Sequence, residues 1–466
     1  MAIPKPPDYV LAVKGQSSAQ SPDTPKVILP DDEAYETARL SWNLAADQRP
    51  AAICLPTSAD EVAGAIRYAG ERGLRIAPQT TGHMAMALEP LDRALLLKPE
   101  FDGPRVEVDR AALSARIRGG ATWGDVVGAV SEAGLTVMHG SSPSVSPFGY
   151  VLGGGLSFYG RAHGFAANRV SSFEIVTADG EIRRADSEQD SDLFWALRGA
   201  GGSFGVITGI EIGLLPLDEV FAGIGFWPMA EAPELLEIWS GWAKSAPDSV
   251  TSTFRLLRPP PLEDVPEPIR GVPVAAIDAV ALDDDAGAGL VALFDDCSEP
   301  LMGGWGRQPS SAVSRLHGDP EDPLPGIGDA ILLNELDADA RARYISAAGA
   351  ESDSSLVAAE LRQLGGALGR PDENGGVLSH VDAGFMLFGI GVAFDPDSSA
   401  KTEADLDRLL AALEPFRAPR RLYGFAERDC SLEDCFGPES ATRLEQIRDK
   451  YDPGHVFIAP HQAAAG

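Results

Sequence analysis

The chain has no apolar run approaching the ~20 residues that a membrane-crossing helix needs. Its opening, Met1-Ala-Ile-Pro-Lys-Pro-Pro, lacks the apolar stretch of a secretory leader, so a cytoplasmic protein is expected. Basic residues are scarce: 38 Lys and Arg face 69 Asp and Glu, a net charge of −31. A surface that negative repels phosphate backbones and anionic bilayers, which excludes nucleic acid and membrane as expected partners. Cysteine is sparse too, with Cys54, Cys297, Cys430 and Cys435 as the full complement. Cys430 and Cys435 are close enough in sequence to pair or bind metal, but no histidine or cysteine cluster accompanies them. Reduced thiols and no metal site are therefore expected. Internal repeats and long low-complexity tracts are also missing.

What remains is a foldable composition, 44% hydrophobic and 23% charged, on 466 residues. That length exceeds one hydrophobic core and calls for two domains. Residues 1–32, rich in Pro, Ser and Asp, read as a loose arm. From Pro50 the pattern is regular. Ser58 and Asp60 offer caps to a helix over Glu61–Arg72, and a strand Leu74–Ala77 follows Gly73. Strand-like alternation surrounds Ser114–Arg118, and Thr122–Val130 reads as a helix. Phe173–Gly180 and Glu181–Arg184 form a hairpin through an Asp-Gly turn, Asp192–Arg198 is a helix, and Phe204–Leu214 is a strand. The mixture predicts an α+β unit over 33–216. Proline-rich segments then mark a second domain over 217–417, and 418–466 forms a C-terminal segment.

Two glycine-bearing loops carry the chemistry. Arg75-Ile-Ala-Pro-Gln-Thr-Thr-Gly-His83 leaves a strand for a turn of small residues, which can aim backbone N–H groups at an anion. Val151-Leu-Gly-Gly-Gly-Leu-Ser-Phe-Tyr-Gly-Arg161 places three glycines in a row, where backbone must approach something closely. A third run, Gly199-Ala-Gly-Gly-Ser-Phe-Gly205, imitates a dinucleotide fingerprint but follows a helix and leads into a strand. That is the reverse of the Rossmann order, so no nicotinamide site is expected there.

The first two loops resemble the pyrophosphate-contacting loops of the vanillyl-alcohol-oxidase and berberine-bridge-enzyme superfamily of FAD enzymes. Arg443-Leu-Glu-Gln-Ile-Arg-Asp-Lys-Tyr-Asp-Pro-Gly-His-Val-Phe457 is similar to the family's terminal segment, which returns to the FAD domain. The resemblance implies a two-part PCMH-type FAD domain, with an inserted substrate domain built on an antiparallel sheet that roofs the flavin. Among subgroups it is most similar to bacterial secondary-metabolism members, the favorskiase-type flavoenzyme included. It implies a covalent anchor at His83, with Gln79, Thr80, Thr81, Gly82 and Met84 around the cofactor. It also implies contacts from Gly140, Ser141, Ser142, Ser146 and Gly149, and from Gly153, Gly154 and Gly155. Arg161 and Asn168 would stand near the cofactor, and Gly205 and Val206 beside its adenine half. Many relatives have a second tether, a cysteine in Gly-x-Cys-Pro-Thr-Val. Here the stretch reads Gly140-Ser-Ser142-Pro-Ser-Val145, so a single attachment is expected. The family's usual Arg-Ser/Gly-Gly-Gly-His-Ser is replaced by Gln79-Thr-Thr-Gly-His83-Met84, which removes a positive charge beside the diphosphate. Gly424 stands where many relatives have asparagine.

The helix-like stretch Glu360-Leu-Arg-Gln-Leu-Gly-Gly resembles the segment in which a glutamate faces the flavin. By that resemblance Glu360 is the general base, with its pKa raised by an apolar pocket. Tyr423 and His380 are the other catalytic candidates, and Phe254 is a candidate pocket residue. The implied reaction oxidises a small or medium organic substrate: proton abstraction, hydride transfer to flavin, reoxidation by O2. The alternatives are flavin-dependent oxygenation or rearrangement, and a flavin-binding cyclase scaffold without net redox change.

Overall fold

The computed structural model describes residues 25–461. Three sheets organise them. The first contains β1 (Val27–Ile28), β2 (Ala52–Cys54), β3 (Arg75–Pro78) and β4 (Ala94–Leu97) in the order β1-β2-β4-β3. Its last three strands run parallel, while β1 pairs antiparallel through Val27–Cys54 and Ile28–Ile53. The loose arm expected over 1–32 therefore ends in a strand; residues 1–24 lie outside the described region. The helix Ala59–Glu71 crosses between β2 and β3. Ser58 caps it by accepting from the Glu61 N–H, and Val62, Ala65, Ile66 and Ala69 turn its apolar stripe inward.

The second sheet is antiparallel: β5 (Val106–Asp109), β6 (Ser114–Arg118), β7 (Val170–Val176), β8 (Ile182–Asp186) and β9 (Val206–Gly213), ordered β5-β6-β9-β7-β8. Thr122 and Asp125 form a capping box that starts the helix Trp123–Ser131, whose Trp123, Val126 and Val130 are fully buried.

Seven antiparallel strands make the third sheet: β10 (Glu219–Pro228), β11 (Val250–Leu257), β12 (Val274–Ala281), β13 (Met302–Pro309), β14 (Gly326–Leu333), β15 (Ala358–Gln363) and β16 (Phe385–Val392). Their order is β13-β10-β12-β11-β15-β16-β14. Helices Ala232–Ala243, Ala338–Ala348 and Pro396–Leu413 share one apolar core with one face of this sheet. Alternation along the strands sends Phe254, Leu256, Ile277, Ala359, Leu361 and Leu387 into that core. Their neighbours Arg255, Asp278, Glu360, Arg362 and Phe388 belong to the opposite face. Glu360, read from the sequence as part of a helix, is in the middle of β15, opposite Arg255 on β11 and Phe388 on β16.

The fold is thus α+β, with one mixed and two antiparallel sheets, and the segment around Phe457 closes back on β3. Phe457 bridges Ile76, and the Ile76 N–H donates to the Val456 carbonyl at 2.8 Å. Among the described residues no helix is long and apolar enough to cross a membrane, and no His/Cys/Asp/Glu group is suited to hold a metal.

Candidate functional site

A cavity of about 1750 Å³ opens between the first two sheets and the free face of the third. On one side it is walled by Trp42, by Pro78–Met84 after β3, by segments from Gly140 to Tyr150, and by Gly201–Val206. Gly82 holds the β3 loop in shape at φ +82°: a side chain there would meet Ser41 Cβ at 2.6 Å and the Gln79 amide at 2.9 Å. The Trp42 N–H donates to the Thr81 carbonyl at 2.7 Å and stacks the indole on His83, ring centroids 4.2 Å apart at 15°. The His83 Nδ1 is 2.9 Å from Thr81 Oγ1, and its Nε2 is 3.4 Å from Ser144 Oγ. Burial pushes the His83 pKa down to about 3, so the imidazole is neutral and keeps a nucleophilic lone pair.

These residues fit a bulky nucleotide cofactor. Both amide atoms of buried Gln79, which lines the cavity, lack any partner, as does the buried Tyr150 hydroxyl. Buried polar groups left so are rare unless something else satisfies them. Gly140, Ser141, Ser142, Ser146, Gly149, Gly153 and Gly155 all line the wall together with Gly205 and Val206. Gly424 lies against Gly153: a Cβ on it would meet the Gly153 carbonyl at 2.7 Å, which accounts for the absence of an asparagine there. Tyr423 also lines the wall, its hydroxyl donating to the Pro460 carbonyl at 3.0 Å.

The opposite wall is the free face of the third sheet. Arg255 Nη2 pairs with Asp278 Oδ2 at 2.7 Å, and Thr253 Oγ1 donates to Asp278 Oδ1 at 2.7 Å. His317 Nε2 is 3.3 Å from Asp278 Oδ1, and its Nδ1 is 3.8 Å from Glu360 Oε1. Arg362 Nε donates to Glu360 Oε1 at 2.5 Å while its guanidinium is 5.1 Å from the Phe425 ring centroid. Burial works against the Glu360 charge, but Arg362, His317 and Arg255 outweigh it and hold the carboxyl below its ordinary range. The raised pKa expected of this residue is thus reversed, because its pocket is cationic rather than apolar. Glu427 is the opposite case. Burial, reinforced by Asp329, pushes its carboxyl up to about 7. Further along, Ile224, Phe226, Leu257, Ile269 and Met302 give this wall an apolar stretch.

Five expected site residues lie elsewhere. Phe254 is fully buried on the helix side, between Trp239 at 5.9 Å and Tyr344 at 6.4 Å between centroids. His380 is outside the cavity wall, its Nδ1 2.8 Å from Ser379 Oγ. Arg161 uses its guanidinium on the Val250 carbonyl (2.7 Å), the Ala246 carbonyl (2.9 Å) and the Leu364 carbonyl. Asn168 holds the Ser379 carbonyl at 3.2 Å and the Gly376 N–H at 3.1 Å. Both side chains fasten the third sheet's connections to the rest of the chain and are saturated by backbone. Gly154 packs on Leu378. Conversely, Trp42, Tyr150, Arg255, His317, Arg362 and Glu427 line the cavity and were not read from the sequence. Arg255 and Asp278 did leave a signal, since each is a charge inside an otherwise apolar or β-branched strand.

Residues 50–186 match the family described as FAD binding domain. (R)-6-hydroxynicotine oxidase of Paenarthrobacter nicotinovorans is 33% identical over 214 residues, 46% of either chain. Glucooligosaccharide oxidase of Sarocladium strictum is 32% identical over 194 residues, 41% of this chain and 38% of that one. The chain matches these curated relatives over less than half of their length. Among solved structures, wild-type BBE-like 1 of Physcomitrella patens superposes with a TM-score of 0.79 at 20% identity, covering 93% of this chain and 96% of that one. The 6-hydroxy-D-nicotine oxidase of Arthrobacter nicotinovorans gives 0.77 at 23%, covering 95% and 98%. Residues 50–186 thus define an FAD-binding domain. The chain as a whole is similar in fold to BBE-like 1 and to 6-hydroxy-D-nicotine oxidase, and it carries an FAD-binding domain over residues 50–186.

Proposed function

We propose that this protein is an FAD-dependent oxidase of a small or medium organic molecule, with FAD tethered through His83 alone. The observation that carries the reading is the pairing, across one cavity, of a neutral, stacked His83 with the carboxylate of Glu360. FAD bound there supplies the hydride acceptor, returned to its oxidised state by O2. Gln79, Thr80, Thr81, Gly82 and Met84, with the Gly140–Gly149 segment and with Gly153 and Gly155, would surround the cofactor. Trp42 fixes the imidazole plane, and Thr81 and Ser144 orient its nitrogens. Serine at position 142 has no thiol to offer a second tether.

Glu360 accepts the substrate proton. Arg362 and Arg255 keep it ionised across the working pH range, and Arg362 orients it. The wall couples this charged centre to the apolar stretch around Phe226 and Met302, which suits a substrate with an apolar body and one ionisable or hydroxylated end. Tyr423 closes the wall between the two sides.

A second reading, oxygenation, rearrangement or ring closure, is favoured by Glu427: a half-buried carboxyl that keeps its proton to about pH 7 can serve as an acid facing the cavity. Anaerobic mixing with substrate separates oxidation from rearrangement or ring closure, because bleaching of the flavin marks oxidation and product without bleaching marks the redox-neutral route; a product that forms only with O2 and carries an oxygen atom from it marks oxygenation. The central claim is tested on purified protein. It is yellow, its flavin stays with the polypeptide after acid precipitation, and His83→Ala releases it. Colourless protein that takes up no FAD overturns the proposal; free flavin from denatured wild type overturns the tether alone.

A further inference from the structure

Behind Tyr423, outside the cavity, Cys430 Sγ and Cys435 Sγ lie 3.7 Å apart, both unbonded. Cys435 is on the short helix Leu432–Phe436, whose start is pinned by the Ser431–Asp434 capping box, so the five-residue spacing is locally fixed. Cys435 is only 2% exposed, while Cys430 is half-buried and reachable. His461 stands beside them: its ring meets Tyr423 edge-on at 5.0 Å, and Phe436 stacks on the other part of Tyr423 at 6.2 Å. The two sulfurs face each other within hydrogen-bond reach, and against the cost of burial Cys435, His461 and Arg421 together hold the Cys430 thiol below the ordinary thiol range. Cys435 keeps its proton. The reachable Cys430 is therefore the nucleophile and the buried Cys435 the reserve.

From this geometry we infer that Cys430 and Cys435 form a peroxide-reactive pair that closes to a disulfide against the back of the Tyr423 wall. The Cys430 thiolate attacks one oxygen of a hydroperoxide. The O–O bond breaks, hydroxide leaves and takes up a proton as water, and Cys430 becomes a sulfenic acid. The Cys435 sulfur then attacks the Cys430 sulfur and displaces the hydroxyl as water, the proton coming from the Cys435 thiol. Two thiols lose two electrons and two protons, and one hydrogen peroxide becomes two waters. The sulfurs need only move from 3.7 Å to the ~2.05 Å of the covalent bond. Cys54 and Cys297 are the internal controls. Cys54 is fully buried with its thiol pushed up to about 12, and Cys297 has its thiol raised by burial and by Glu234 and Glu231.

The proposal is independent of which reaction the cavity runs, and its test supplies hydrogen peroxide directly to the full-length holoprotein. Alkylation mapped by peptide mass should find Cys430 reacting at least tenfold faster than Cys297 before treatment. After stoichiometric peroxide and alkylation of the unfolded chain, Cys430 and Cys435 should be lost from the alkylatable pool together and recovered by dithiothreitol, with Cys297 unchanged. Cys435→Ser should leave a sulfenic acid on residue 430 that a dimedone probe captures. Cys430→Ser should abolish peroxide sensitivity of residue 435. If wild-type Cys430 and Cys435 remain alkylatable at Cys297-like rates after peroxide, the inference falls, whatever the variants do.

Discussion

The two faces of the seven-stranded sheet are built from the same strands and have nothing chemical in common. Toward its helices the sheet presents Phe254, Leu256, Ile277, Leu361 and Leu387, packed with Trp239 and Tyr344; its polar atoms there are few and paired, as where Trp239 Nε1 donates to Ser252 Oγ at 2.9 Å. Toward the cavity it presents Arg255, Asp278, Glu360 and Arg362, charges that burial would penalise heavily if any lacked its partner. One face stabilises, the other stores a prearranged electrostatic field. The contrast teaches that a single residue step along β11, from Phe254 to Arg255, crosses from scaffold to site.

The sharpest way to break that contrast is Glu360→Gln, which should slow anaerobic flavin reduction roughly 10²–10⁴-fold, the usual size of a general-base contribution. Because the wild-type carboxyl is held below its ordinary range, the wild-type rate should persist to lower pH than a free glutamate would allow. The variant should lose that acidic limb. Reduction at the wild-type rate would remove Glu360 from the chemistry and turn attention to Glu427 and Tyr423.

Phe254→Ala probes the other face. It should cost about 3–5 kcal/mol in denaturant unfolding, as other large-to-small changes at fully buried aromatics do, yet leave the reduction rate per folded molecule intact. A specific loss of rate at unchanged stability would mean that the two faces are coupled.

Asp278→Asn is a smaller and pH-dependent test, about 3 kcal/mol, since it strands the buried Arg255 charge. Arg255 and His317 hold the folded-state Asp278 pKa below the unfolded value of about 3.9. Its stabilisation is therefore complete above that value and lost as pH falls through the folded pKa. The gap between wild type and variant should be full near neutrality and shrink below about pH 4. A gap that widens in acid would contradict the pairing.

The same contrast explains what was legible in the sequence. The His83 side of the cavity is written in contiguous segments, Gln79–Met84 and Gly140–Gly155, where local turn chemistry and glycine spacing speak for themselves. The sheet face is written across strands hundreds of residues apart. Nothing local says that Arg255 and Glu360 share a face; that follows from their opposition in the β11–β15 ladder. Leu361 and Leu364 stand three apart and imitate a helical stripe, but in the fold Leu361 points to the helices while Glu360 and Arg362 point to the cavity. His317 enters from a loop after the turn Ser310–Arg315 and becomes visible only once β12 and β15 are side by side. Val27 and Ile28, taken for arm, are a strand because Ile53 and Cys54 offer them an edge.

The bridge between Ile76 and Phe457 also governs when the molecule can become functional. The Phe457 carbonyl takes hydrogen bonds from Arg75, 382 residues away, and from Arg448, while Asp452 accepts from the Val456 and Phe457 N–H groups. The strand that launches the His83 loop thus waits for a neighbour made 382 residues later. At about 5–20 residues per second of synthesis, that wait is about 20–80 s. During that interval the nascent segment has β3 hydrogen-bonded on one side only, so the His83 loop gains its full backbone support only once Phe457 has been made.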